Sequence, residues 1–513
     1  MRQPGPWRRG AVLALGLAAI VLWQAQFAQN PRALDSTFRQ SQSQGLFWAG
    51  DFVYFFYYLG LFPVAVAGPG YASVFAPGFQ TPSEYSVEGA RRFLIEHRKD
   101  LVMDRLWTFE AGEYGRILLY VPDALLKGAP RSPSVRPCHA IVFILSLGLV
   151  FLSCWAIRRP VLGAVLVLFF GSDPFQLFEV YAHEGVFGWP ISTALLVLAL
   201  HLPMLGDEPC ARHSFWLVPL VTACLLATVW TVRSEPLPII LSAAATYLCV
   251  AGGVGWGRRV GAVLVLLATF WATSTAWDAY YRAKFDQARD VVAALGGHPM
   301  PRMRRVHHGL WHPVWTGFGD FDTKYGHAWF DQTAYRFALP VLEQKYGETS
   351  RLNRYDMLNS FWDDDKMYRK LPEDLPHYAD VLRADIKGKI LSDPAWYLGI
   401  LSRRAWRVLS ETTPVQLAVG GWRLRLPFHG LVFLPLIGLL LVARSWTRLK
   451  LALFMLPLSL TALAIYSGGG TCFYSCYHLV AAAILVTDAP AGLLLLRGSL
   501  ARGGRGGAGA PSA

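Results

Sequence analysis

The chain is 513 residues long, 53% hydrophobic and 14% aromatic, with only 16% charged residues and a mean hydropathy of +0.32. That balance excludes an ordinary soluble globule and predicts an all-α polytopic membrane protein rich in interfacial Trp and Phe. The net charge of +13 does not mark a nucleic-acid binder: the cations fall as pairs between apolar runs or inside aqueous segments, which serves topology and lipid head groups.

The first apolar run, AVLALGLAAIVLWQAQFAQ, follows the basic MRQPGPWRRG and has the outline of a signal peptide. Trp23, Gln24 and Phe27 stand where small residues would mark a cleavage site, so the run is predicted to stay as an anchor over 11–28. Further spans are predicted near 138–157, 160–172, 190–205, 215–232, 238–255, 260–277, 427–444, 450–467 and 478–497, about ten in all. Arg8 and Arg9, Arg158 and Arg159, Arg258 and Arg259, then Arg444, Arg448 and Lys450, and finally Arg497, Arg502 and Arg505 all fall on one side of such a count. Short cytoplasmic loops collect Lys and Arg, which predicts a cytoplasmic-membrane protein with both termini in the cytoplasm. The run 46–67, LFWAGDFVYFFYYLGLFPVAVA, would invert that pattern if it crossed. Asp51 near its start and Pro63 near its end favour an interfacial or re-entrant segment.

The organisation that follows has an N-terminal membrane core, 1–277, carrying spans 1–7 and a large first outer loop, 29–137. An outward-facing, largely helical segment, 278–426, comes next, and 427–513 holds the last three spans and a flexible glycine-rich tail. No period-2 strand series stands out in either outer segment. No Gly-rich phosphate loop follows a strand, so no nucleotide cofactor is expected, and no transporter-like internal repeat is visible. Of the seven cysteines, Cys154, Cys224 and Cys249 lie in apolar spans as small hydrophobes, while Cys472 and Cys476 are open to oxidation on an oxidising face.

Ionisable residues are costly at membrane depth, and here they accumulate at the outer ends of the predicted spans. Asp35 and Asp51 follow span 1; Glu110, Glu113 and Arg116 lie in TFEAGEYGRILLY; Asp173, Glu179, His183 and Glu184 lie in GSDPFQLFEVYAHEG; Arg233 and Glu235 lie in VRSEP; Asp278 follows span 7. Taken singly, each is read most simply as a solvated span end. Together they suit a group transfer at the outer interface, in which a carboxylate takes a proton from an acceptor hydroxyl and arginine holds a lipid phosphate as it leaves. Asp51, Glu113 and Asp173 are the catalytic candidates. Glu110, Arg116, Glu184, Arg233 and Glu235 are candidate substrate contacts. Asp51 is preferred as base because its apolar neighbours would raise its pKa, with Glu110 and Glu113 as competitors.

Beyond span 7 lies HHGLWHPVWTGFGDFDTKYGHAWFD, residues 307–331. His308 and His312 have i, i+4 spacing and Asp320-Phe321-Asp322 has a D-x-D form, but Gly309, Pro313, Gly317 and Gly319 oppose a regular helix and no metal is assigned. A structural aromatic cap at the interface is one reading of this block. The preferred reading is an outer lid in which His308, His312, Trp315 and Asp320 contact the sugar or phosphate, the glycines letting backbone pass close to the ligand.

The multispanning core, the acidic first outer loop and the large outer segment before the last spans resemble the GT-C glycosyltransferases of the protein mannosyltransferase and arabinosyltransferase types. The elements Trp311, His312, Pro313, Trp315, Gly317, Gly319, Tyr325, Gly326, Trp329 and Asp331 are similar to a block in bacterial membrane proteins of that kind, and SDPAWYLGILSRRAWRVL is similar to their membrane-lying helix. The resemblance implies a polyprenyl-phosphate-linked sugar donor, an acceptor glycan, lipid or protein, contact with membrane lipids, and inverting, metal-independent transfer. It also implies a catalytic aspartate soon after the first span, for which Asp35 and Asp51 are the choices. A flippase or exporter of lipid-linked sugars and an envelope glycan polymerase or ligase are the alternative functions.

Overall fold

The computed structural model describes residues 6–29, 49–66, 84–103, 114–128, 133–182, 188–205, 214–232, 237–250, 254–299, 311–349, 375–410, 412–419 and 422–429, together with 372, 479–480, 482–484 and 486–487. The described chain is mostly helical. Helix α1 (Pro6–Gln29) is followed by α2 (Ala49–Leu59), strand β1 (Val64–Val66), α3 (Val87–Glu96), β2 (Leu101–Met103) and α4 (Val121–Lys127). The apolar helices are α5 (Arg136–Ala156), α6 (Pro160–Phe170), the short α7 (Pro174–Leu177), α8 (Gly188–His201), α9 (Ser214–Trp230), α10 (Leu237–Ala245) and α11 (Trp256–Ala294).

Three of these helices are long and apolar enough to cross a membrane, within α1, α5 and α11, and a fourth span arises if α6 and Pro174–Ala182, bent by 61°, are one element. Shorter apolar helices lie at Gly188–Met204, Phe215–Trp230 and Ile239–Leu248. Every expected span from 11–28 to 260–277 therefore coincides with an apolar helix, but α6, at 11 residues, rises only about 16 Å against a hydrocarbon core of about 30 Å. The expected spans 427–444, 450–467 and 478–497 lie largely outside the described residues. Within the last, Leu479, Val480 and Ile484 are buried in the same core as α5 and α8. That core is built by helical periodicity: Phe143, Leu147, Val150 and Cys154 bury one stripe of α5.

The expected boundary at 277/278 falls inside one helix. Helix α11 runs unbroken for 39 residues, about 58 Å. The sequence WDAYYRAKFDQARDVVAA contains neither Gly nor Pro, and Tyr281, Phe285, Ala288 and Val292 recur at helical spacing to bury a second stripe beyond the apolar part. Exposed Trp256 and the Trp277–Tyr280 pair lie 21–24 residues apart, a rise of about 32–36 Å, close to the thickness of a hydrocarbon core.

The second stripe of α11 packs against the segment between α1 and α5. Phe52, Val53, Tyr54 and Phe55 of α2, the strands β1 and β2, and Tyr114, Ile117 and Tyr120 form one apolar cluster with Tyr281 and Phe285. The strands pair antiparallel, Val64 with Met103 and Val66 with Leu101, and His298 returns after α11 to donate its N–H to Leu101 O at 2.8 Å. The described part of the run 46–67 holds a helix of only 11 residues, α2, and Gly60 at φ 65° turns the chain into β1.

A third cluster joins α12 (Trp311–Gly317), α13 (Asp331–Tyr346), α14 (Tyr378–Ser392) and α15 (Pro394–Ser410). Helix α12 corrects the expectation that proline and glycine keep this block non-helical. Pro313 falls in the first turn, where its missing N–H forfeits no helical bond, and Gly317 falls at the end. The chain then forms a hairpin, β3 (Thr412–Val419) and β4 (Trp422–His429), in register from Thr412↔His429 to Val419↔Trp422. This corrects the expected absence of strands, and the expected boundary at 426/427 falls within β4. Alternating Trp-Arg-Leu-Arg-Leu after Gly420-Gly421 is the pattern that carries it. The hairpin is anchored on the apolar bundle: Trp23 Nε1 donates to Ala418 O at 2.7 Å, and Ala418 N donates to Ser172 Oγ at 3.2 Å.

Candidate functional site

Asp51 stands in the first turn of α2, buried among Phe52, Phe55 and Phe62. Its Oδ2 accepts the Val66 N–H at 3.0 Å. Burial pushes the carboxyl from 3.8 up to about 7, the Val66 hydrogen bond offsetting part of the rise. Such a carboxyl exchanges a proton near neutrality, which is what a general base or acid requires.

Arg116 is buried in the same unit, on a 3-10 turn spanning Tyr114–Tyr120. That turn is fixed from both sides. Gly115 N donates to Thr231 O at 2.8 Å, and a Cβ at Gly115 would stand 1.8 Å from Thr231 Oγ1, so only glycine lets the turn close on the end of α9. Tyr114 OH donates to Asp278 on α11, where the ring also lies 4.4 Å from Tyr281. Asp51 and Arg116 are thus brought into one unit that packs against Trp277 and Tyr281 of α11. Glu110, Glu113, Arg233 and Glu235 lie outside the described residues; they adjoin this turn and the end of α9 in sequence.

Asp173 is placed elsewhere, at the break between α6 and α7. It caps α7, its Oδ2 accepting Gln176 N at 3.0 Å. The break is polar and buried: Gln24 Nε2 donates to Gly171 O at 2.9 Å and its Oε1 accepts from Tyr181 OH at 3.1 Å. Nearby, buried His139 and Glu179 flank Gly188, whose Cβ would stand 2.8 Å from His139 Nδ1 and 3.0 Å from Glu179 O. Non-helical backbone in an apolar bundle needs such partners. Asp173 therefore serves the break, and its capping bond accounts for its position without reference to Asp51. Glu184 lies outside the described residues.

His312 and Trp315 are interior residues of the third cluster. His312 Nδ1 meets Tyr378 OH at 2.6 Å and Nε2 meets Asp331 Oδ1 at 2.9 Å, while Trp315 Nε1 donates to Asp385 Oδ2 at 2.8 Å. These polar atoms take part in the internal hydrogen bonding of the cluster, which by itself gives both side chains a structural role. Asp320 is half-buried near Arg404, whose guanidinium donates to Gly317 O. His308 lies outside the described residues.

Asp322, the second carboxylate of the D-x-D form, is spent on its own loop. It accepts the N–H groups of Lys324 and His327 at 2.8 Å, the His327 ring at 2.8 Å and Trp396 Nε1 at 2.9 Å. Burial opposes its charge, yet these donors hold the carboxyl far below the usual range. Among the described residues no group of three or more His, Cys, Asp or Glu is arranged to hold a metal ion.

His327, Tyr378, Asp385 and Lys389 are the cluster members that sequence reasoning left unassigned. The i, i+4 pair Asp385 and Lys389 was legible on a charged helix, but its partnership with His327, 62 positions before Lys389, was not. Searches of family models, curated proteins and solved structures found nothing that matches this chain.

Proposed function

We propose that this chain is an integral-membrane glycosyltransferase of the cytoplasmic membrane, working on its outer face with both termini in the cytoplasm. It takes a sugar from a polyprenyl-phosphate donor and passes it to an acceptor hydroxyl. The observation that carries the reading is Asp51: a buried carboxyl raised to about 7, in one unit with Arg116, beside the Trp277–Tyr280 pair, a place suited to a lipid phosphate.

Asp51 accepts the acceptor's hydroxyl proton as that oxygen attacks the anomeric carbon. The bond from that carbon to the phosphate oxygen breaks, and the phosphate leaves with the electron pair. Arg116, with Arg233 two residues after the Thr231 contact, holds the developing charge. No nucleotide is required, because the polyprenyl phosphate delivers the sugar. Purified protein in detergent, given a polyprenyl-phosphate sugar and candidate acceptors, is expected to release polyprenyl phosphate, and Asp51→Asn is expected to stop it.

A second reading, translocation of lipid-linked sugars, is favoured by one feature, the 61° break between α6 and Pro174–Ala182 with its buried Gln24, Asp173 and Glu179. The same protein in liposomes separates the two. Donor that changes leaflet with its sugar still attached supports transport, and released polyprenyl phosphate supports transfer.

A further inference from the structure

His327 lies at the centre of the third cluster with its side chain fully buried. Its Nδ1 is 2.8 Å from Asp322 Oδ2, which accepts only if Nδ1 carries the proton. Its Nε2 is 3.2 Å from Lys389 Nζ. An ammonium has only donors, so Nε2 must be the acceptor and the ring must be neutral. Lys389 also donates to Asp385 Oδ2 at 2.7 Å, and that oxygen lies 4.0 Å from Nε2. Trp396 of α15 stacks on the imidazole at 5.7 Å, and Trp315 and Phe318 meet it edge-on at 4.5 and 5.3 Å. One ring thereby ties the loop 318–330 to both α14 and α15.

We propose that His327 and Lys389 form a proton-operated latch that locks the loop 318–330 onto α14 and α15 when the imidazole is neutral and releases it when the imidazole is protonated. A proton added at Nε2 turns that atom from acceptor to donor, facing an ammonium 3.2 Å away. The two cations cannot share the contact. Among the described residues Asp385 is the facing group placed to accept from the new N–H, and it is already engaged by Lys389 and by Trp315 Nε1 at 2.8 Å. Closing the 4.0 Å gap therefore displaces Lys389, Trp315 or both.

The facing groups on every packed element are Asp322 and Tyr325 on the loop and Asp385 and Lys389 on α14; α15 presents the neutral Trp396. Burial lowers the imidazole below its ordinary 6.5, Asp322 and Asp385 oppose the shift, and Lys389 adds to it. Because the folded value is depressed, the stability from this contact is complete above about pH 6.5 and is lost as pH falls through the folded value. The latch is independent of the glycosyl-transfer reading.

Hydrogen exchange on the full chain in nanodiscs, at about pH 7.5 and about pH 5 after correction for intrinsic rates, tests it. Peptides covering 318–330 and 385–400 are expected to lose protection on acidification, by up to about tenfold per pH unit, while α2 and α5 stay unchanged. His327→Gln is expected to abolish the response. Lys389→Met, which removes the opposing ammonium and keeps the apolar stem, is expected to keep the loop protected at the lower pH and provides the test if the first variant does not fold. Unchanged wild-type protection between the two pH values, or equal acid loosening in wild type and Lys389→Met, overturns the latch.

Discussion

Replacing Asp51 by Asn separates the charge of this side chain from its shape. The amide keeps an oxygen for the Val66 N–H, so the bond that joins α2 to β1 survives. The ability to ionise is lost. A rise from 3.8 to about 7 is about 3 units, so the folded carboxylate above pH 7 is disfavoured by roughly 4 kcal/mol relative to the unfolded chain, an upper limit reached without relaxation. The folded state holds an extra proton between about pH 4 and about pH 7, and wild-type stability therefore falls across that window as pH rises, then levels off. The Asn variant has no such slope. Wild type and variant are expected to unfold alike below about pH 4, and the variant is expected to become the more stable by several kcal/mol near pH 8. Denaturant unfolding in one detergent, followed by tryptophan fluorescence at stepped pH, gives the difference. Turnover is expected to move the opposite way, falling by about a hundredfold or more in the variant, with wild-type kcat/KM rising through a limb near pH 7. A stability difference that stays constant from acid to alkaline pH would refute the perturbed carboxyl, and undiminished turnover in the variant would refute its role as base.

Three further outcomes test the surrounding structure. Gly115→Ala drives a methyl into Thr231 and is expected to cost about 1–3 kcal/mol and to lower donor affinity by displacing Arg116; adding Thr231→Ala should restore part of both, and no rescue in that double variant removes the contact. His312→Ala strips Tyr378 and Asp331 of a buried partner and is expected to lower stability by about 1–3 kcal/mol while leaving donor KM in the wild-type range; a large KM change with normal stability would return His312 to the substrate. Reporter fusions at position 350 are expected to be active only as an extracytoplasmic reporter; activity only in the cytoplasm would overturn the orientation drawn from the arginine pairs.

Much of the membrane architecture is legible along the sequence because bilayer crossing is a local requirement. A run of apolar residues must satisfy its own backbone by coiling, which is why α1, α5 and the first half of α11 coincide with the expected spans. The raised pKa of Asp51 was legible for a similar reason, since its apolar neighbours are also its neighbours in sequence. The continuation of α11 depended instead on a second buried stripe finding the segment between α1 and α5, and the hairpin on Ala418 finding Trp23 and Ser172, 395 and 246 positions away. The division of the polar residues was likewise tertiary. Asp51 and Arg116 fall in one unit, Asp173 caps a broken helix in another, and His312 and Trp315 are consumed by Tyr378, Asp331 and Asp385 in a third. Burial and hydrogen bonding decide whether a histidine or carboxylate has an atom left for a ligand, and those partners come from segments whose distance in sequence carries no information about their distance in space.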